Sequence, residues 1–174
     1  MGNSQQTVAW LAEQHGASLY HFCQHLTHSA DAAGDLYQET FLRLLTMTTP
    51  VDLTRNPQGF LMAVAVRLWQ DSRRKFARRR RIAPAAPDEA LATVAGGQDP
   101  AAISEQRAAA TLVRTLVGQL PEPLQVPVLL FYMGELSIGE IAECLGIPEG
   151  TVKSRLHQAR RKLQTGLERC HYER

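Results

Sequence analysis

Seven of the ten residues from Ser72 to Arg81 (SRRKFARRRR) are Lys or Arg, with no carboxylate among them. Seven more cations against two carboxylates fall between Lys153 and Arg174. Cations at this density neutralise phosphate and displace its counterions, so each block reads as a surface that meets a nucleic-acid backbone. Phe60, Trp69 and Phe76 stand in or before the first block, and an exposed ring there can stack an unpaired base, worth about 1–3 kcal/mol per base. Trp69 itself falls on the apolar face of its segment and reads as core. His21, His25 and His28 recur at i, i+4 and i+7, within about 60° on a helical wheel, where two imidazoles can share a metal. No carboxylate or thiol joins that face, so the expectation is a solvated histidine face and no metal. Cys23, Cys144 and Cys170 are widely spaced and lack a C-x-x-C pair, which fits a reduced compartment, with Cys23 as a small core residue. No nucleophile beside a base and no metal-binding carboxylate cluster is evident, so neither an enzyme nor a cofactor is expected.

The chain's 174 residues carry a formal net charge of only +2. That figure is a cancellation. Residues 1–71 hold three basic and six acidic groups, and residues 82–152 hold two and nine. The pattern suits two separate phosphate-facing surfaces on an otherwise acidic body. With 44% apolar and 21% charged residues the chain should fold. It has no apolar run of about 18 residues and no basic start followed by an apolar core, so a cytoplasmic protein without membrane insertion is expected.

Helical periodicity dominates the segments that carry these groups. Leu19, Phe22, Cys23 and Leu26 share one face, and Leu36, Tyr37, Thr40, Phe41, Leu44 and Leu45 continue the pattern in a second helix. Ser29 and Asp31 supply caps between the two, and Asp35 and Glu39 fall near the positive end of the second helix. TTPVDLTRNPQG, ending at Gly59, is a loop, and a third helix follows over about Phe60 to Phe76 with Leu61, Val64, Ala65, Leu68 and Trp69 inward. Residues 82–104, rich in Ala, Pro and Gly without an apolar face, read as a linker. Beyond it, one helix ends before Pro121, a second spans about Leu124 to Met133 with Pro127 expected in its first turn or at a kink, and two shorter helices follow. The fold expected is all-α: a helical domain over 1–81, a flexible linker over 82–104, and a second helical domain over 105–174.

The stretch LSIGEIAECLGIPEGTVKSRLHQARRKL, Leu136 to Leu163, carries the strongest signal. Ser137 with Glu140 makes a capping box, Gly146 supplies a left-handed helix end, and Ile147 plugs the gap before a helix starting near Pro148 or Glu149. This is a helix-turn-helix with Ile138, Ile141, Ala142, Leu145, Val152 and Leu156 inward. Glu149, Gly150, Thr151, Lys153, Ser154, Arg155 and Gln158 are left outward, where such a helix meets base edges in the major groove, and Arg160, Arg161 and Lys162 follow for phosphate.

A helix-turn-helix alone leaves repressors, response-regulator output domains and recombinases open. The same 28 residues, however, closely resemble the promoter-reading region four of sigma factors, and specifically the small extracytoplasmic-function (ECF) class. DAAGDLYQETFLRLL, Asp31 to Leu45, resembles the polymerase-binding helix of sigma region two, and NPQGFLMAVAVRLWQDSRRKFARRR resembles the adjoining helix that meets the downstream promoter element. The two motifs occur in the family's order with nothing but a linker between them. The family usually carries Trp near Phe60, Asn near Arg67, and a polar or charged residue near Pro127, and this chain departs at all three.

The resemblance implies a transcription initiation factor working as a subunit of core RNA polymerase. It places Asp35, Leu36, Gln38, Glu39 and Phe41 against the beta-prime clamp helices, with the beta flap as a further polymerase contact. It assigns minus-ten promoter DNA to Asn56, Phe60, Arg67, Arg73, Arg74, Lys75, Arg78 and Arg79, with Asn56 reaching a flipped base. It assigns the minus-thirty-five element to Glu149, Gly150, Thr151, Lys153, Ser154, Arg155, Gln158, Arg160 and Arg161. It also implies control by an anti-sigma factor. The competing reading is a stand-alone helix-turn-helix regulator that dimerises on operator DNA, which would need a dimer seam, and no sufficient heptad is present.

Overall fold

The computed structural model describes residues 2–48, 54–82 and 105–172. Apart from Ile82, the linker expected at 82–104 lies outside the described residues, as do residues 49–53 of the expected loop. The described residues form seven helices and no strand: α1 (Gly2–Thr27), α2 (Ala30–Thr46), α3 (Pro57–Ile82), α4 (Glu105–Gly118), α5 (Glu122–Tyr132), α6 (Ile138–Leu145) and α7 (Glu149–Tyr172). This is the all-α class that the periodicity implies. None of these helices is long and apolar enough to cross a membrane. The chain divides into two compact units, Met1–Val94 with Tyr132–Leu136, and Ala95–Phe131 with Ser137–Arg174.

In the first unit, α1, α2 and α3 pack on one another around Leu11, Leu19, Phe22, Cys23, Leu36, Leu44, Leu61, Met62 and Val66. Burying such side chains is worth about 1.5–3 kcal/mol each relative to leaving them in water. Gly16 allows α2 to come close to α1, since a Cβ there would lie 2.8 Å from the Tyr37 hydroxyl oxygen. Ser29 caps α2 by accepting from the Ala32 amide. Asp31 lies in the first turn of α2, whereas Asp35 and Glu39 fall in its second and third turns, beyond most of the dipole's reach.

The buried stripe of α3 is Leu61, Met62, Ala65 and Val66, rotated by about 60° from the expected one. Val64, Leu68 and Trp69 are only half-buried. Trp69 is therefore not core: it sits where α3 leaves the bundle, and every residue from Asp71 to Arg81 is exposed.

In the second unit, α4 packs against α7, and α6 against α7. Gly166 lets α4 approach, with a Cβ there meeting the Leu116 side chain at 2.8 Å. Val117, Leu120, Leu124, Val128, Leu129, Ile141, Val152, Leu156 and Ala159 are buried. Pro127 lies inside α5 and is fully buried. It occupies the second turn, not the first, so α5 forgoes one backbone hydrogen bond in a helix whose segment from Leu124 to Leu130 is wholly enclosed. The last helix is not short: α7 runs 24 residues without a break.

Candidate nucleic-acid interface

The capping box at the start of α6 is complete. The Ser137 hydroxyl accepts from the Glu140 amide, and the Glu140 carboxylate accepts from the Ser137 amide at 2.8 Å and from its hydroxyl at 2.7 Å. Gly146 ends the helix at φ 65°, and the amides of Gly146 and Ile147 both donate to the Ala142 carbonyl. A side chain at that φ would cost about 1–2 kcal/mol. These local bonds set the direction in which α7 departs.

On α7, Val152, Leu156 and Ala159 point into the core, and Glu149, Gly150, Lys153, Ser154, Gln158, Arg160 and Arg161 are exposed, with Thr151 and Arg155 half-buried. The outward set expected from sequence thus shares the solvent side of one helix. Lys153 lies 3.9 Å from Glu149 with both groups largely in water, so the pair holds neither side chain firmly. Gln158 donates to the Ser154 hydroxyl at 3.2 Å. Arg160 lies over the Phe131 ring of α5, 5.8 Å from its centroid. Arg161, the next residue, lines a groove with Leu116 and Leu120. The first turns of α7 therefore carry short donors and acceptors suited to base edges, and its middle carries guanidiniums suited to phosphate.

In the first unit, Asp35, Gln38 and Glu39 are exposed on α2. Leu36 is 6% exposed and belongs to the bundle, so it supports that face from beneath and cannot itself present a contact. Phe41 is half-buried, edge-on to Tyr37 at 5.0 Å. Leu42 is the apolar residue that faces out, 61% exposed and one turn beyond Gln38 and Glu39. Periodicity already leaves Leu42 off the Leu36, Thr40 and Leu44 row, but an off-row leucine carries no sign of what it would meet.

Asn56 caps α3: its Oδ1 accepts from the Gly59 amide at 2.8 Å. Its Nδ2 donates to the Gly134 and Glu135 carbonyls at 2.8 and 3.2 Å, within the same unit. The amide would have to exchange these donor bonds to reach a base. Phe60 is half-buried and Arg67 exposed. Arg73 lies over the Trp69 ring at 4.9 Å, Arg74 is 3.8 Å from Asp71, and Lys75, Arg78 and Arg79 are exposed.

His21 is exposed and bonds Gln24, while His28 has a positive φ of 55° at the end of α1, which takes its Cβ off the helical repeat. The three histidines do not form one regular helical row. Cys23 is enclosed in the bundle, and burial pushes its thiol up to about 12.

The Sigma-70 region 2 family matches residues 11–80, and the Sigma-70 region 4 family matches residues 110–163. The ECF RNA polymerase sigma factor SigL of Mycobacterium tuberculosis is 32% identical, over 91% of this chain and 87% of SigL. The chain belongs to the ECF sigma factors of RNA polymerase. SigW of Bacillus subtilis, another ECF sigma factor, is 29% identical over 94% of this chain and 90% of its own. The solved sigma factor RpoE, in complex with the anti-sigma factor NepR from Bartonella quintana, has the same fold, with a TM-score of 0.70 at 20% identity over 97% of this chain and 98% of that one. In this ECF sigma factor the region 2 match ends at Arg80, within the exposed basic stretch of α3, and the region 4 match ends at Leu163, inside α7.

Proposed function

We propose that this ECF sigma factor directs core RNA polymerase to two-part promoters, with the division of labour expected from its two halves. The helix-turn-helix reads the minus-thirty-five element through Glu149, Gly150, Thr151, Lys153, Ser154, Arg155 and Gln158, while Arg160 and Arg161 grip phosphate. The observation that carries this reading is the Ser137–Glu140 box followed by the left-handed Gly146, which supports α7 with its short polar side chains outward. The start of α3 meets the minus-ten element through Asn56, Phe60 and Arg67, and the Arg73, Arg74, Lys75, Arg78 and Arg79 stretch holds the backbone of the opening strand. Promoter opening requires only tighter binding to separated strands than to duplex, so no covalent step is needed.

The polymerase surface is the exposed face of α2. Asp35, Gln38 and Glu39 surround the apolar Leu42, a composition that suits a basic amphipathic helical partner such as the clamp helices. The beta flap is assigned to the second unit. An anti-sigma factor would act by covering these surfaces in the cytoplasm. Transcription in vitro with purified core enzyme and genomic promoter fragments tests the reading: promoter-dependent transcripts require the added chain. Specific operator binding by a dimer without polymerase would favour a stand-alone regulator instead.

A further inference from the structure

Two side-chain amides at the start of α3 grip three consecutive backbone carbonyls. Gln58 Nε2 donates to the Met133 carbonyl at 2.6 Å, and Asn56 Nδ2 donates to those of Gly134 and Glu135 at 2.8 and 3.2 Å. The turn they hold, Tyr132–Leu136, belongs to the same compact unit as α3. Gly59 lets it come close, because a Cβ there would lie 2.5 Å from the Gly134 carbonyl oxygen and from Asn56 Nδ2, and 2.7 Å from the Leu136 side chain. Gly59 and Gly134 are both buried. Within the turn Glu135 has a φ of 51°, the left-handed region that a side chain occupies only at a cost, so the amide bonds hold a strained segment in place.

The seam engages Asn56 completely. An asparagine amide has two N–H donors and one carbonyl acceptor. Its Nδ2 donors go to the turn, and its Oδ1 accepts from the Gly59 amide. A base edge is read by the same groups, a donor meeting a ring nitrogen or carbonyl acceptor, and the turn's carbonyls offer Asn56 that acceptor chemistry. We infer, resting on the minus-ten reading given above, that the Tyr132–Leu136 turn is an internal competitor for the minus-ten base: its own carbonyls fill the donors of Asn56, and base capture excludes turn docking. Affinity for an unpaired base is then the intrinsic affinity scaled by the fraction of chains whose turn is undocked. Gln58, to which no promoter contact is assigned, acts on that fraction alone.

The test uses the full-length chain with Gln58→Leu and Gln58→Ala, which leave Asn56 in place. Fluorescence anisotropy follows binding to a labelled random-sequence 12-nucleotide single strand and to an abasic strand of the same length. Hydrogen exchange over residues 132–136 follows release of the turn. Both variants should exchange faster there and bind the base-bearing strand about two-fold to about twelve-fold more tightly, the worth of one hydrogen bond, with abasic binding unchanged. Adding Asn56→Ala should abolish the gain. Unchanged exchange, unchanged binding of the base-bearing strand, an equal gain on the abasic strand, or a gain that survives Asn56→Ala would each overturn the competitor. The minus-ten reading is judged separately on holoenzyme. Promoter opening unimpaired by Asn56→Ala would overturn that reading and the competitor with it, whereas impaired opening without a Gln58→Leu gain would overturn the competitor alone.

Discussion

The Arg160 guanidinium of α7 lies 5.8 Å from the centroid of the Phe131 ring on α5. A cation proposed above to meet phosphate thus rests on a helix outside the helix-turn-helix. Exposed cation–π contacts are worth about 0.5–1 kcal/mol. Phe131→Ala should cost about that much stability in urea, plus its lost packing. Phe131→Ala should also weaken binding of holoenzyme to promoter DNA, without changing the salt dependence, because the charge that meets phosphate remains.

The capping box predicts a separable effect. Ser137→Ala and Glu140→Ala should each lower stability by about 0.5–2 kcal/mol. The double variant should lose less than the sum, because each single change already breaks the reciprocal pair. A double-mutant cycle in urea reads the coupling directly, and strict additivity would mean that the box is not cooperative.

On α2, one helix carries two leucines with opposite fates. Leu42→Ala should leave the thermal midpoint nearly unchanged and weaken core polymerase binding. Leu36→Ala should cost about 2–5 kcal/mol as a cavity in the bundle. Asp35→Lys with Glu39→Lys should weaken polymerase binding with the fold intact, as measured by titration of labelled core enzyme and circular dichroism. Unchanged affinity in both Leu42→Ala and the charge-reversed chain would move the polymerase contact elsewhere.

Cys23 links the bundle to pH. Its thiol is held at about 12 by burial, whereas in the unfolded chain a cysteine ionises near 8.5. The folded state thus keeps a proton that the unfolded state loses. The contribution to stability is full below pH 8.5 and declines as pH rises towards 12. The urea midpoint should fall more steeply between pH 8.5 and 10.5 in the native chain than in Cys23→Ala. Alkylation of native protein should reach the half-buried Cys170 before Cys23.

How much of this was legible in the residues depended on how local the cause was. Ser137, Glu140 and Gly146 act within one turn of themselves, so the geometry of α6 could be read from spacing alone. The inward stripe of α3 could not, because apolar residues surround much of that segment and only the bundle decides which of them turn inward; hence Trp69 emerged half-exposed and Met62 fully buried. Leu36 and Leu42 differ in register, so which of them turns inward could be read, but nothing in the residues marked the exposed Leu42 as part of a contact face. The length of α7 was missed for a related reason. Its second half, Gln164 to Tyr172, is polar and gains its place from Gly166 meeting Leu116, a contact formed between distant parts of the chain.

That contact gives α7 a mechanical character. The helix is one uninterrupted rod gripped by α4 at Gly166, and its reading end at Gly150 lies about 24 Å away at 1.5 Å per residue. A tilt of about 5° at the grip displaces the far end by about 2 Å, enough to carry a donor out of hydrogen-bonding range of its base. On the proposed reading the grip at Gly166 is the fulcrum of a lever, and a change there is expected to alter promoter preference although it touches none of the side chains at the tip.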